Sequence, residues 1–121
     1  MHELGITRSI VRTVAERAGG RPVRRVKLEI GRLAGVMPGA IRFCFDAVAA
    51  GTVLEGAALE IVEPEGRARC RSCGAEFLQE TLYDPCTCGA RDAARLSGEE
   101  LNIVEFEFDA EAGAAIAPSA A

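Results

Sequence analysis

Two close pairs of cysteines, Cys70-Arg71-Ser72-Cys73 and Cys86-Thr87-Cys88, each followed by glycine, constrain this chain more than any other feature. Twelve residues separate the pairs. Four thiols set so close read as one tetrahedral site, most often for zinc, which binds thiolates at about 2.3 Å. Two residues between Cys70 and Cys73 let a single turn offer both sulfurs to one ion. Gly74 accepts positive φ, which lets backbone N–H groups turn toward the thiolates. Cys86 and Cys88 have one residue between them, a tighter spacing than is usual. Two rivals stand beside the metal reading: a disulfide, and the fifth cysteine, Cys44, replacing one ligand. Cys44 lies in the apolar stretch Arg42-Phe43-Cys44-Phe45-Asp46, where a free cysteine reads as a small hydrophobe packed in a core.

A chain of 121 residues, 49% hydrophobic and 26% charged, is globular and supplies one small domain, or one domain carrying a metal module. No apolar run approaches the roughly 18 residues of a membrane span. The opening Met1-His2-Glu3-Leu4-Gly5-Ile6 lacks the basic start and long apolar core of a signal peptide. The expectation is a cytoplasmic protein without a membrane partner, where thiols stay reduced and four clustered cysteines mean metal. Charge is divided unevenly. Residues 1–50 carry a balance of +5 and residues 51–121 a balance of −9, for a total of −4. Either these are two solvated faces, or the first half offers a basic docking face to an acidic partner. An acidic total with five Phe, one Tyr and no Trp argues against general nucleic-acid binding.

From Glu3 to Ala18, apolar residues fall at helical spacing, and Gly19-Gly20 ends that helix. Val23, Val26, Leu28 and Ile30 predict a strand. Pro38 opens a second helix carrying Ile41, Phe43, Cys44, Phe45 and Val48, which stops near Gly51. Leu59, Ile61 and Val62 mark a second strand, and Leu101 to Phe108 a third, whose later part alternates Val104, Phe106 and Phe108 against Glu105 and Glu107. Between these last two strands, the cysteine module holds a short strand-like stretch, Glu76-Phe77-Leu78, and is too small to bury a core without its ion. The expected fold is α+β: two helices packed on a three-stranded sheet, with an inserted four-cysteine, zinc-ribbon-like module. Residues 1–66 plus 98–109 form the main domain, 67–97 the zinc module, and 110–121 a flexible tail rich in alanine. The exposed edge of a three-stranded sheet would let two copies pair or swap as a homodimer.

His2 is the single histidine. At position two, a histidine can chelate through the Met1 amine, its own backbone nitrogen and imidazole Nδ1, with a fourth donor from the backbone nitrogen or carboxylate of Glu3. Such a nitrogen-rich, square-planar set suits Ni(II) or Cu(II). An idle, solvated terminal histidine is the plainer alternative that this chemistry leaves open.

Met1-His2-Glu3, Gly31-Arg32-Leu33-Ala34-Gly35-Val36, Phe43-Cys44-Phe45 with Gly51-Thr52, Ala68-Arg69-Cys70-Arg71-Ser72-Cys73-Gly74 and Ser97-Gly98-Glu99-Glu100-Leu101 occur in an order and spacing that resemble the HypA/HybF family. The resemblance runs to about Asp109. It implies a nickel metallochaperone of hydrogenase maturation, with nickel at the Met-His-Glu terminus and structural zinc on four cysteines. It implies delivery to the hydrogenase large subunit with the GTPase HypB, and in some organisms service to urease. Carried to this chain, His2 is the nickel imidazole, Met1 and Glu3 contribute backbone nitrogens or lie beside the metal, and Cys70, Cys73, Cys86 and Cys88 hold zinc. One departure stands out. The family's second pair usually reads Cys-Pro-x-Cys-Gly, whereas here Pro85-Cys86-Thr87-Cys88-Gly89 exchanges the first two residues.

A closed four-thiolate site has no open position for water, and one histidine with no paired catalytic constellation argues against an enzyme. The competing classes are a zinc ribbon that binds nucleic acid or serves as an adaptor, and a redox sensor using Cys86 and Cys88 as a switchable dithiol.

Overall fold

A computed structural model of the chain describes residues 2–109; Met1 and the segment expected to be a flexible tail lie outside the described residues. Two helices and six strands follow in the order α1 (His2–Ala18), β1 (Val23–Ile30), α2 (Pro38–Ala49), β2 (Ala58–Val62), β3 (Gly66–Cys70), β4 (Glu76–Gln79), β5 (Ala93–Ser97) and β6 (Leu101–Phe108). The strands form two three-stranded sheets, ordered β2-β1-β6 and β4-β3-β5. The chain clusters into two compact units. The first takes the residues through Leu28, Met37–Ile61 and those from Asn102 on, and the second takes Glu29–Val36 and Val62–Leu101. Among the described residues, no helix is long and apolar enough to cross a membrane.

In the first unit, α1 buries Thr7, Ile10, Val11, Val14 and Ala18. Their spacing follows the helical period and turns one stripe inward. Gly19 and Gly20 then take φ of 60° and 91°, which releases the chain from the helix. Helix α2 opens on Pro38 and buries Ile41, Phe45 and Ala49. That phase leaves Phe43 on the opposite side, 87% exposed, and Cys44 half-buried, so neither is the core residue that apolar character alone suggests. The two helices pack against one another. Strand β1 alternates, burying Val26, Leu28 and Ile30. In β6 the buried residues are Ile103, Phe106 and Phe108, with Val104 half-buried, so the expected alternation holds only over its last residues. The rings of Phe106 and Phe108 meet edge-on at 5.5 Å, and the Arg21 guanidinium lies 3.9 Å over Phe108.

The polar side of this sheet is tied together from its central strand. Arg25 on β1 reaches Glu60 on β2, and on β6 it reaches Glu105 at 2.7 Å and Glu107 at 2.6 Å. Arg24 adds a second contact to Glu107. One guanidinium thereby spans all three strands.

In the second unit, β3 is the central strand. It pairs antiparallel with β4 (Ala68 opposite Phe77) and with β5 (Cys70 opposite Ala93). The sequence gives the stretch around Glu76 as a strand but not β3 or β5. Gly66, Ala68 and Cys70 face inward on β3 and are buried, yet none has the β-branched or aromatic side chain by which a strand is usually read. Glycine is required by close approach at one point of this unit. A Cβ on Gly31 would stand 2.1 Å from the Gly98 carbonyl oxygen, and one on Gly98 would stand 2.6 Å from the Gly66 Cα. Around this contact the Gly31 N–H donates to the Glu100 carbonyl at 2.8 Å, and the Leu33 N–H to the Gly98 carbonyl at 2.6 Å.

Candidate metal centre

The end of β3 carries Cys70 directly into the first knuckle. There the Cys70 N–H donates to the Ala75 carbonyl at 2.9 Å, and the Gly74 N–H returns to the Cys70 carbonyl at 2.9 Å, with Gly74 at φ 80°. The second knuckle repeats this design with one residue fewer. The Cys86 N–H donates to the Ala90 carbonyl at 3.0 Å, and the Gly89 N–H to the Cys86 carbonyl at 2.8 Å, with Gly89 at φ 92°. Shortening both hydrogen-bonded rings by one residue is how the chain absorbs the tight Cys86-Thr87-Cys88 spacing. The approach to this knuckle is braced by Asp84. Its carboxylate accepts from the Glu80 N–H at 2.8 Å, the Thr81 N–H at 3.2 Å and the Thr81 hydroxyl at 2.7 Å. Led by that hydroxyl, these bonds hold the Asp84 carboxyl below its ordinary range. Buried Gln79 steadies the same loop, donating to the Asp84 carbonyl at 3.0 Å and accepting from Arg95 Nε at 3.1 Å.

The result is a four-sulfur cluster. The sulfurs of Cys70, Cys73, Cys86 and Cys88 all lie within 4.8 Å of one another. Cys70 Sγ is 3.7 Å from Cys88 Sγ, and Cys73 Sγ is 3.6 Å from Cys86 Sγ. Four thiolates at about 2.3 Å in a tetrahedron would stand about 3.8 Å apart, so the donor set and its spacing fit a zinc-type ion. The same separations are well above the roughly 2.05 Å of a disulfide. Cys44 belongs to α2 and is not one of the four, which sets aside its substitution for a ligand.

The electrostatics divide the thiols, and Cys70 is the one favoured as a thiolate. Cys70 Sγ accepts from the Cys73 and Ser72 N–H groups, each at 3.4 Å. The Cys73 N–H leads in lowering the Cys70 thiol to about 6, with Ser72 and the neighbouring sulfurs adding to it. Cys88 behaves oppositely. The Ala90 N–H lowers it, but the sulfurs of Cys70 and Cys86, with some loss of solvent beside them, outweigh that and push it to about 11. Crowded thiols resist collective ionisation in this way, and a bound dication removes the conflict. Cys70 and Cys86 are buried, while Cys73 and Cys88 are exposed. The cluster is closed: all four positions of a tetrahedron are taken by protein sulfur.

The other expected site residues stand at the start of α1, and the expected Met1 donor is outside the described residues. His2 is the first helical residue, and its side chain is 60% exposed. Its Nε2 lies 3.2 Å from Glu3 Oε2. That carboxylate oxygen also accepts from the Met37 N–H at 3.2 Å. The Met37 N–H leads in holding the Glu3 carboxyl below its usual value. Met37 precedes a proline and is extended, with φ −90° and ψ 111°. Pro38 therefore signals the extended backbone, but nothing in the sequence announces the contact with Glu3.

Comparison with known proteins matches residues 1–108 to the family model described as hydrogenase/urease nickel incorporation, metallochaperone, hypA. The hydrogenase maturation factor HypA of Trichormus variabilis is 55% identical over 109 residues, which cover 90% of this chain and 96% of that protein. The HypA of Geobacter metallireducens is 50% identical over 110 residues, covering 90% of this chain and 100% of that one. Two solution structures share the fold. The Ni metallochaperone HypA from Helicobacter pylori superposes with a TM-score of 0.61 at 20% identity, over 88% of this chain and 96% of that chain. A second HypA protein gives 0.66 at 24% identity, over 91% and 98%. With its two helices, two small sheets and four-cysteine metal site, this chain belongs to the HypA family of nickel metallochaperones for hydrogenase and urease, which are carriers and not enzymes.

Proposed function

We propose that this chain carries one Ni(II) at its amino terminus and delivers it to the hydrogenase large subunit, in cooperation with a HypB-type GTPase, while Zn(II) on the four cysteines shapes the second unit. Nickel is cargo here and zinc is resident. The donors are the Met1 amine and the backbone nitrogen and Nδ1 of His2, with a fourth from Glu3, by its backbone nitrogen or its carboxylate. The observation that carries the reading is the 3.2 Å contact between His2 Nε2 and the Glu3 carboxylate. A carboxylate partner on Nε2 favours the tautomer with its proton there, which frees Nδ1 for the metal. Helix geometry supports it too. The first N–H groups of α1 have no carbonyl one turn back, so using the His2 and Glu3 nitrogens breaks no helical hydrogen bond.

Nitrogen donors at an exposed helix end suit a cargo that must leave, whereas a closed thiolate cluster suits an ion that stays. A reducing cytoplasm, which keeps the four thiols available, is the compartment that fits both. The open edges of the three-stranded sheets are where a homodimer would pair.

Isothermal titration of the zinc-loaded chain with Ni(II), parent against His2→Ala, tests the proposal. The expected result is one equivalent bound by the parent, its loss in the variant, and zinc content equal in both. Nickel uptake by His2→Ala equal to the parent would refute it.

A further inference from the structure

The arginines of this chain differ in how they are satisfied. Those on the strands are satisfied internally: Arg24 and Arg25 by Glu107, Glu105 and Glu60, Arg67 and Arg69 by Glu76, and Arg95 by Glu99. Arg71 pairs with Asp92. On α1 the situation differs. Arg8, Arg12 and Arg17 are exposed, and their side chains have neither an ion pair nor a hydrogen bond among the described residues. Arg8 and Arg12 are four residues apart and so stand one above the other on the same helix face.

That face leads to the terminus. His2, Gly5, Arg8, Ser9, Arg12 and Glu16 are all exposed and follow one another at helical spacing, opposite the buried stripe. Arg8 lies about 9 Å along the axis from His2 and Arg12 about 15 Å. Glu16 closes the stripe at the end away from the metal terminus. Beside its start is one exposed apolar side chain: Leu4, one turn before Arg8, is 37% exposed. Arginine is among the side chains enriched in protein interfaces.

We infer that the exposed face of α1 from His2 to Arg12 is the docking surface for an acidic surface of the protein that receives the nickel, with Arg8 and Arg12 meeting its carboxylates and Leu4 packing beside them. The inference rests on nickel being carried at that terminus. Charge complementarity names the occupant. Two unneutralised guanidiniums one turn apart, in a half of the chain with a balance of +5, attract carboxylates. Arg8 and Arg12 steer the encounter and orient it, so that the recipient's ligands arrive at the terminus. They do not themselves touch the metal.

The test is the association rate of the zinc- and nickel-loaded chain with the purified precursor of the hydrogenase large subunit, followed by stopped-flow at two salt concentrations. The Arg8→Gln/Arg12→Gln double variant is the probe, and Arg67→Gln/Arg69→Gln is the control on neutralised arginines. Circular dichroism confirms that the helix remains. The expected result is association slowed about tenfold at low salt, with a flattened salt dependence, and no change for the control. Nickel affinity of the isolated chain, measured in parallel, remains at the parent value. Absence of nickel uptake by the parent would sink the terminus reading and this inference with it, whereas an unchanged double-variant rate beside intact nickel uptake would sink the inference alone. The inference is overturned if the parent fails to associate with the precursor, if the double variant keeps the parent's rate and salt dependence, or if the parent instead binds short duplex DNA with a steep salt slope.

Discussion

Cys86 holds its sulfur 3.6 Å from that of Cys73, across the cluster, although only Thr87 separates it from Cys88 in the chain. The short spacing therefore does not keep Cys86 from the sulfur of the first knuckle, and all four sulfurs lie within 4.8 Å of one another. Cys86 is also buried, as Cys70 is, while Cys73 and Cys88 face solvent. Each knuckle contributes one buried and one exposed ligand.

Replacing a buried ligand removes both a donor and the packing of its knuckle. Cys86→Ser is expected to lower zinc from one equivalent to a small fraction and to abolish protection of the amide protons of β3, β4 and β5, because metal binding is folding energy for a unit this small. Cys44→Ser should retain one zinc and cost about 1 kcal/mol through the altered packing of a half-buried side chain. Metal analysis by mass spectrometry and hydrogen exchange read both outcomes.

Asp84 braces the second knuckle without touching the metal. Asp84→Ala removes three accepted hydrogen bonds and should weaken zinc binding about tenfold, the usual range for groups that position a ligand. Competition with a chromogenic chelator measures this, and far-ultraviolet dichroism of the zinc-loaded variant should match the parent.

Gly31 admits no side chain, since its Cβ position is filled by the Gly98 carbonyl at 2.1 Å. Gly31→Ala should destabilise by about 3 kcal/mol, because the obstruction is backbone and cannot rotate away. Gly5 provides the contrast. It lies within α1 with nothing near its Cβ position, so Gly5→Ala should stabilise by about 1 kcal/mol. Urea unfolding of the zinc-loaded variants separates the two signs.

The Glu107 carboxyl is held below its ordinary value by the Arg25 side chain first and then by Arg24. A depressed folded value stabilises the native state at pH values above the unfolded carboxyl's, and that stability is lost as pH falls through the folded value. Glu107→Gln removes the titration. The parent should lose stability more steeply than Glu107→Gln as pH falls from about 5 through the unfolded carboxyl range and below, and the two slopes should become equal once Glu107 is protonated in the folded chain. Parallel urea titrations at fixed total zinc isolate the difference, because acid release of the metal is common to both chains.

The parts of this fold that bury large apolar side chains at a regular period were readable from the residues alone. Ile10, Val11 and Val14 mark α1, Ile41 and Phe45 mark α2, and Val26, Leu28 and Ile30 mark β1. Strands β3 and β5 were not, because Gly66, Ala68, Ala93 and Ala94 carry no strand preference of their own and are held extended by their neighbours. The exposed position of Phe43 escaped for a different reason: apolar character does not report the phase of a helix. For the metal site, the four thiols were legible from their spacing. What was not legible is how the shorter knuckle closes, since that depends on which carbonyls the Cys86 and Gly89 N–H groups find. The Glu3 contact with Met37 joins residues 34 positions apart and leaves no local signal.

The most direct test of the nickel-carrying terminus compares two zinc-loaded proteins that differ only in one extra alanine before Met1. The added residue leaves His2 in place and displaces the free amine from its chelate ring. One equivalent of Ni(II) taken up by the native chain near neutral pH, with its affinity lowered at least tenfold in the extended chain, is the expected result. Equal nickel affinity in the two proteins, or no uptake by the native one, would contradict it.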